Sequence, residues 1–119
     1  MPFIIAKTNS IVNEEQSVRI KRALGKAISL VPGKSEDSLL VEVQEKSRLY
    51  LRGRSDEAIT YITVSIFGNE SHSGYAELTA EITRIFSEVL GVPPANVYVK
   101  YDDISVWGAG GMCFDRNLF

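Results

Sequence analysis

An internal repeat is the feature that most constrains how this chain can fold. When the sequence is aligned with itself so that Phe3 falls on Tyr61, the same order of hydrophobic patterns recurs. Each half carries a short apolar segment, then apolar residues at helical spacing, then a glycine and a second short apolar segment. The pattern predicts two pseudo-symmetric β-α-β units, at about residues 3–43 and 61–101. The predicted strands are 3–6, 39–43, 61–67 and 97–101, and the predicted helices are 13–30 and 71–90.

The way in which the two units pack determines the predicted fold class. One unit alone could bury only one face of its helix and strands, so we expect the two units to pack side by side. The result is an α/β protein of the α+β type, a two-layer sandwich in which two helices cover one face of a four-stranded mixed sheet. All 119 residues then belong to a single domain.

Two segments outside the repeat need an interpretation of their own. Residues Arg48 to Arg52 alternate polar and apolar side chains, with Leu49 and Leu51 on one side, which predicts a short extra strand that needs a partner edge. The glycines among residues 108–111 suit a tight turn or a close backbone approach, or else a flexible tail.

Composition and charge exclude several classes of function. The net charge of −2 comes without a surplus of Lys and Arg, so neither nucleic acid nor an anionic membrane is an expected partner. Cys113 is the only cysteine, which rules out an intrachain disulfide, and no metal-ligand pattern occurs in the sequence. The N-terminus does not resemble a signal peptide, and no apolar stretch reaches the roughly 20 residues that cross a bilayer. We expect a soluble protein of the cytoplasm, or one that is secreted without a signal peptide.

Pro2 is the first candidate catalytic residue. Removal of Met1 would leave Pro2 with a secondary amine and a free lone pair. An apolar pocket and a nearby cation both lower the pKa of an amine, which can then act as a general base at neutral pH. Alternatively, a proline at this position affects only the processing of Met1, and a Met-Pro start alone does not decide between the two. If Met1 is retained, the proline nitrogen belongs to a tertiary amide and has no basic lone pair.

Seven short motifs match those of one protein family in their order and spacing. They are Met1-Pro2-Phe3-Ile4 with Thr8-Asn9, Gly33-Lys34, Gly53-Arg54-Ser55-Asp56, Ser65-Ile66, Leu90-Gly91-Val92-Pro93, Val97-Tyr98-Val99, and Trp107-Gly108 ending in Phe114. Through them the chain resembles the macrophage migration inhibitory factor (MIF) family of the tautomerase superfamily over nearly its full length. The resemblance implies a ferredoxin-like subunit in a ring-shaped homotrimer. Active sites would lie between subunits, and the short strand at 48–52 would extend a neighbour's sheet.

The same resemblance implies an enzyme that needs no cofactor and no metal. Members of the family move a proton between carbon and oxygen of α-keto acids such as phenylpyruvate, and Pro2 matches their catalytic proline. Lys34 matches the lysine that binds the substrate carboxylate, although a lysine after a helix-ending glycine is by itself usually solvated. Lys100 stands where the family has asparagine and would add a second cation at the rim of the pocket. The residues expected to line the pocket are Ile66, Trp107, Phe114 and, from the neighbouring subunit, Tyr98.

Two other functions stay open at the level of the sequence. The first is a secreted MIF-like cytokine or host-modulating protein with vestigial catalysis, which would bind a receptor protein. The second is different superfamily chemistry on small acids, namely hydration, dehalogenation or decarboxylation. Members with that chemistry place extra arginines and an acid in the pocket, and the sequence alone does not identify such residues. Ala58 and Tyr61 replace the Cys-x-x-Cys pair of vertebrate members, so thiol oxidoreductase activity is not expected.

Overall fold

The structure, a computed structural model, describes residues 1–118. Strands and helices alternate as the repeat predicts, and a small hairpin follows at the C-terminal end. Neither helix within the described residues is long and apolar enough to span a membrane. The elements are β1 (Pro2–Thr8), α1 (Glu14–Ala27), β2 (Leu40–Gln44), β3 (Thr60–Phe67), α2 (Tyr75–Leu90), β4 (Val97–Ile104), β5 (Val106–Ala109) and β6 (Met112–Asp115).

The four-stranded sheet has β1 and β3 at its centre, in the order β2-β1-β3-β4. β1 runs antiparallel to β3, while the outer strands β2 and β4 run parallel to their inner neighbours. The sheet is therefore mixed, and each half of the chain contributes one parallel pair. The two helices pack against each other and share one core with a single face of the sheet. The predicted α+β two-layer sandwich is confirmed.

The local sequence explains why these elements form. Side chains of β1 and β3 alternate between a buried and a partly exposed face, which is the two-residue period of a strand. α1 begins with a capping box, in which the side chains of Asn13 and Gln16 each accept from the other residue's backbone N–H. The buried strand positions meet the apolar stripes of both helices. The core that results includes Ile4, Ile20, Leu24, Ile62, Val64, Ile66, Leu78, Ile82 and Phe86.

The start of the second helix is the main boundary that the sequence does not predict. The helical pattern predicts a start at Ser71, but α2 begins four residues later. His72 has a positive φ of 62°, and the side-chain amide of Asn69 donates to the carbonyl of Ser73. Local side-chain bonds of this kind compete with helical bonds, so the segment is a loop.

The predicted extra strand at 48–52 does not form within the single chain, where Leu51 makes only an isolated bridge to Arg54. Leu51 and Arg54 exchange both backbone hydrogen bonds, at 2.8 and 3.0 Å. Arg52 and Gly53 between them have positive φ angles of 54° and 75°, which close a tight turn. The amide of Leu51 is thus bonded within its own chain, and the pairing of residues 48–52 with a neighbour's sheet stays a prediction.

The glycine-rich tail forms a hairpin. β5 and β6 pair antiparallel, and Gly110 and Gly111 in the connecting turn have positive φ angles of 59° and 81°. Two consecutive residues with positive φ are typical of a type I′ turn, whose twist matches that of the flanking strands. The predicted tight turn is confirmed, and the alternative of a flexible tail is wrong.

Truncation of the core should destabilise the fold strongly. Among residues 1–118, Phe86 is the largest fully buried side chain, and it lies in α2. Phe86→Ala should lower the free energy of unfolding by about 3–5 kcal/mol, because it removes buried apolar contacts and leaves a cavity. Ile11→Ala, at a side chain that is 70% exposed, is the control and should change that free energy by less than about 0.5 kcal/mol. Urea titration followed by circular dichroism measures both, and equal effects would contradict this assignment of the core.

Candidate active site

The N-terminus lies at one end of the two central strands. Pro2 is buried as the first residue of β1, where it pairs with Ile66 of β3. Proline has no N–H to donate to a ladder, so the first position is one of the few that it can occupy in a central strand. The backbone N–H of Phe67 donates to the carbonyl oxygen of Met1 at 3.2 Å. Ile66 is fully buried, and because it is directly opposite Pro2, the side chains of both residues lie on the core face of the sheet.

Lys34 reaches the same place from the loop after α1. Its backbone N–H donates to the carbonyl of Val31 at 3.1 Å, which closes a turn after the helix. Its Nζ donates to the carbonyl oxygen of Phe67 at 2.9 Å. A Cβ atom on Gly68 would stand 3.2 Å from Nζ, so the absence of a side chain there leaves room for the ammonium group.

The α-amine of Met1 lies in surroundings that disfavour its charged form. Its pKa is lowered from 8.0 to about 6, first by burial and then by the positive charge of Lys34 and a hydrogen bond with Lys34. All three effects act in the same direction. The terminal amine is therefore mostly neutral at pH 7, which is the state in which an amine can accept a proton.

The C-terminal hairpin supplies an aromatic wall at this end of the sheet. The ring centres of Phe67 and Phe114 lie 6.5 Å apart at an interplanar angle of 57°, which is a favourable tilted arrangement. Trp107 pairs with Phe114 across the hairpin. The predicted site residues that the single chain gathers at this end are Pro2, Lys34, Ile66, Trp107 and Phe114.

Tyr98 and Lys100 lie elsewhere on the same chain. In β4 they pair with β3 residues that are five and three positions away from Ile66. At about 3.3 Å per residue, they lie roughly 16 and 10 Å along the strand direction from the level of Pro2, and β3 stands between β4 and β1. Tyr98 is 56% exposed, and the Nζ of Lys100 is 3.8 Å from a carboxylate oxygen of Asp102. The single chain does not bring these two side chains to the site.

Phe67 is a site residue that is not predicted from the sequence. Its carbonyl accepts from Lys34, its N–H donates to Met1, and its ring contacts Phe114. The only sequence signal for it is its place directly after Ile66 in a predicted strand. Phe67 thus connects β3 to the terminus, to the cation and to the hairpin.

Arg116 and two carboxylates form a second group that the sequence does not reveal. Arg116 lies directly after β6, and its guanidinium group is 2.8 Å from Glu70 and 2.6 Å from Asp103. Together with Phe67 and Gly68, Arg116 and Glu70 line a cavity of about 280 Å³. Glu70, Asp103 and Arg116 are far apart in the sequence and become neighbours only through the fold.

Metal-ligating side chains do not cluster in the described part of the chain. Within residues 1–118, no group of three or more His, Cys, Asp and Glu side chains is placed to hold a metal ion. Cys113 is exposed on β6. The groups gathered at the N-terminal end are an amine, an ammonium group, apolar side chains and, beside Phe67, the guanidinium group of Arg116 with its two carboxylates.

Comparison with solved structures defines the class of fold. MIF2 of Leishmania major matches with a TM-score of 0.87 at 23% sequence identity, over 96% of this chain and 97% of the other. A fused 4-OT in the form of an asymmetric trimer matches with a TM-score of 0.81 at 17% identity, over 98% of each chain. The chain has the fold that these two proteins share.

Sequence comparison then defines the family. The family model for macrophage migration inhibitory factor (MIF) matches residues 1–113. The MIF-like protein mif-2 of Caenorhabditis elegans is 27% identical over 104 residues, which are 87% of this chain and 85% of that protein. The chain belongs to the macrophage migration inhibitory factor family, which confirms the resemblance of its motifs.

The pKa of the Met1 amine should depend on Lys34. In protein that retains Met1, nitrogen NMR of labelled methionine should show the amine titrating near pH 6. Lys34→Met should raise this pKa without restoring it to 8.0, because burial, the largest cause of the shift, remains. Lys21→Met, on the exposed side of α1, is the control and should leave the pKa unchanged. Equal pKa values in both variants would contradict the electrostatic role of Lys34.

Proposed function

We propose that this chain, once Met1 is removed, is a cofactor-free keto–enol tautomerase of phenylpyruvate-like α-keto acids in which Pro2 is the general base. One observation carries the proposal, namely that the terminal amine lies beside Lys34 in surroundings that lower its pKa to about 6. Removal of Met1 moves the terminal amine to Pro2, one residue further into the same surroundings. A neutral secondary amine there can accept a proton at neutral pH. Membership of the MIF family supports an isomerase-type reaction.

The proposed reaction moves one proton within the substrate. The nitrogen of Pro2 takes a proton from the carbon beside the keto group, and the electrons of the C–H bond form the C=C bond of the enol. The carbonyl oxygen then gains a proton from water or from the protonated Pro2. Lys34 has three N–H donors, of which one is used by Phe67, so others can hold the substrate carboxylate. Removal of Met1 also releases the N–H of Phe67, which leaves a backbone donor beside the amine.

The apolar side chains around the terminus favour a substrate with an aromatic body. Phe67 and Phe114 supply two rings, and Trp107 extends this wall along the hairpin. A site with one cation beside an aromatic wall suits a molecule that has a carboxylate at one end and a ring at the other. Phenylpyruvate has this form.

The positions of Tyr98 and Lys100 support a site that is shared between subunits. Both side chains are remote from the N-terminal end of their own chain, and Tyr98 is 56% exposed. In a closed ring of three, each chain would present both to the Pro2 end of its neighbour. The fused 4-OT with the same fold forms a trimer. The proposed enzyme is therefore a homotrimer whose sites combine Pro2 and Lys34 of one subunit with Tyr98 and Lys100 of the next.

Tautomerisation of phenylpyruvate by the Met-free protein should depend on Pro2. Pro2→Gly keeps a terminal amine but removes the proline ring and the secondary amine. Its kcat/KM should fall by about 10²- to 10⁴-fold, the usual contribution of a general base. Protein that retains Met1 should be equally inactive, because its proline nitrogen is an amide. Intact-mass measurement verifies the state of the terminus, and full activity of either form would contradict the assignment of Pro2.

If the site is shared between subunits, mixed trimers of two inactive variants should regain activity. Chains with Pro2→Gly or Tyr98→Ala should each lose most activity. Trimers refolded from both should regain part of it, because some of their sites combine an intact Pro2 with an intact Tyr98. The control mixture contains Pro2→Gly and Lys34→Met, which should restore nothing because Pro2 and Lys34 meet within one chain. Light scattering checks that the mixtures are trimers. Equal recovery in both mixtures, or none in either, would contradict the shared site.

A further inference from the structure

The C-terminal hairpin forms a sheet of its own. Among residues 1–118, β5 and β6 pair with each other and not with the four-stranded sheet. Only Ser105 separates the hairpin from β4, and its carbonyl accepts from the backbone N–H of Arg116 at 2.9 Å, which closes the base of the hairpin. A two-stranded hairpin alone is at best marginally stable, and no backbone ladder fixes its direction relative to the main sheet. Within the single chain, its position therefore depends on side-chain contacts.

Phe114 and Arg116 provide such contacts. The ring of Phe114 lies 6.5 Å from that of Phe67, between ring centres. The guanidinium group of Arg116 bonds Asp103 near the end of β4 at 2.6 Å and Glu70 in the loop after β3 at 2.8 Å. Arg116 thereby connects the hairpin to two separate segments of the main body.

The ion pairs of Arg116 differ from an ordinary surface pair. An isolated exposed pair contributes little, because water and salt screen it. The Arg116 side chain is only 31% exposed, and it bonds two carboxylates from different segments. A planar guanidinium group can bond both at once in a fixed geometry, which an ammonium group does less well. Because the two carboxylates together exceed its single positive charge, Arg116 offers no net positive charge to a substrate carboxylate.

We propose that Arg116 is a positioning residue for the substrate pocket. By holding the hairpin on Glu70 and Asp103, it keeps Phe114 and Trp107 at the N-terminal end of β1. The affinity for a substrate with an aromatic ring then depends on Arg116, although Arg116 does not touch the substrate. The kinetic part of this inference rests on the proposed tautomerase function, whereas the structural part does not.

Steady-state kinetics of Arg116→Gln test the kinetic part. With phenylpyruvate, KM should rise by roughly fivefold with little change in kcat, because the lost wall contacts the ring equally in ground and transition states. With 2-oxobutanoate, which has no ring, KM should not change. Arg116→Lys should give an intermediate KM, since it keeps the positive charge but loses the planar guanidinium group that bonds both carboxylates. An unchanged KM for phenylpyruvate, or an equal rise for both substrates, would overturn the proposal.

Arg54→Gln is the matched control. Arg54 also bonds a carboxylate through two nitrogen atoms, with Asp56 as its partner, but both residues are exposed in the loop between β2 and β3. Its KM values for both substrates should match those of the unmodified protein. A rise equal to that of Arg116→Gln would show a general effect of lost charge and would overturn the specific role of Arg116.

The single tryptophan of the chain gives a second readout that does not depend on activity. Trp107 lies on the hairpin and is half-buried, so acrylamide quenching of its fluorescence reports whether the hairpin stays in place. The quenching constant should rise in Arg116→Gln and in Asp103→Asn. The quenching constant of the double variant, with both substitutions, should be little higher than that of either single variant, because both changes remove the same contact. Arg54→Gln should match the unmodified protein.

The two readouts separate failure of the inference from failure of the proposed function. Unchanged quenching in Arg116→Gln would overturn the positioning role whatever the activity. An unmodified Met-free protein that is inactive on both substrates would overturn the tautomerase proposal. In that case a rise in quenching would still support Arg116 as the residue that holds the hairpin.

Discussion

The antiparallel pairing of β1 with β3 is the interaction on which the rest of this structure depends. The two strands are the centre of the sheet, and their alternate side chains share one core with both helices. The same register places Pro2 opposite Ile66 and so carries the chain terminus to the end of β3. Because Phe67 is the next residue of that strand, the groups that contact Phe67 lie beside the terminus as well. One ladder therefore organises both the core and the candidate site.

The terminal amine is unusual because its charged neighbour carries the same charge. A buried charged group is normally paired with an opposite charge. Here the charged group that acts on the Met1 amine is another cation, Lys34, and burial adds to its effect on the pKa. Such an arrangement disfavours the doubly protonated state, and perturbed pKa values of this kind cluster at functional sites. The site accommodates Lys34 because the carbonyl of Phe67 accepts from it and Gly68 leaves room for it.

Elements with a clear period could be predicted from the sequence, and features set by single residues or by distant contacts could not. The strands and helices of the repeat carry apolar residues at periods of two and 3.6, so their type and order follow. The positive φ of His72 and the turn from Leu51 to Arg54 depend on single residues, and the spacing of apolar residues does not predict them. Motifs indicated the N-terminal proline and its lysine. No motif contains Arg116, Glu70 or Asp103, which only the fold brings together.

The pH dependence of kcat/KM for the Met-free protein tests the central claim most directly, namely that the end of the β1–β3 ladder lowers the pKa of the terminal amine until it can act as a base. The acid limb of this profile reports the base of the free enzyme. We expect activity to fall only below about pH 7, and we expect Lys34→Met to move this limb to higher pH. An acid limb at or above about pH 8, the ordinary value of an α-amine, that Lys34→Met does not move would contradict the claim.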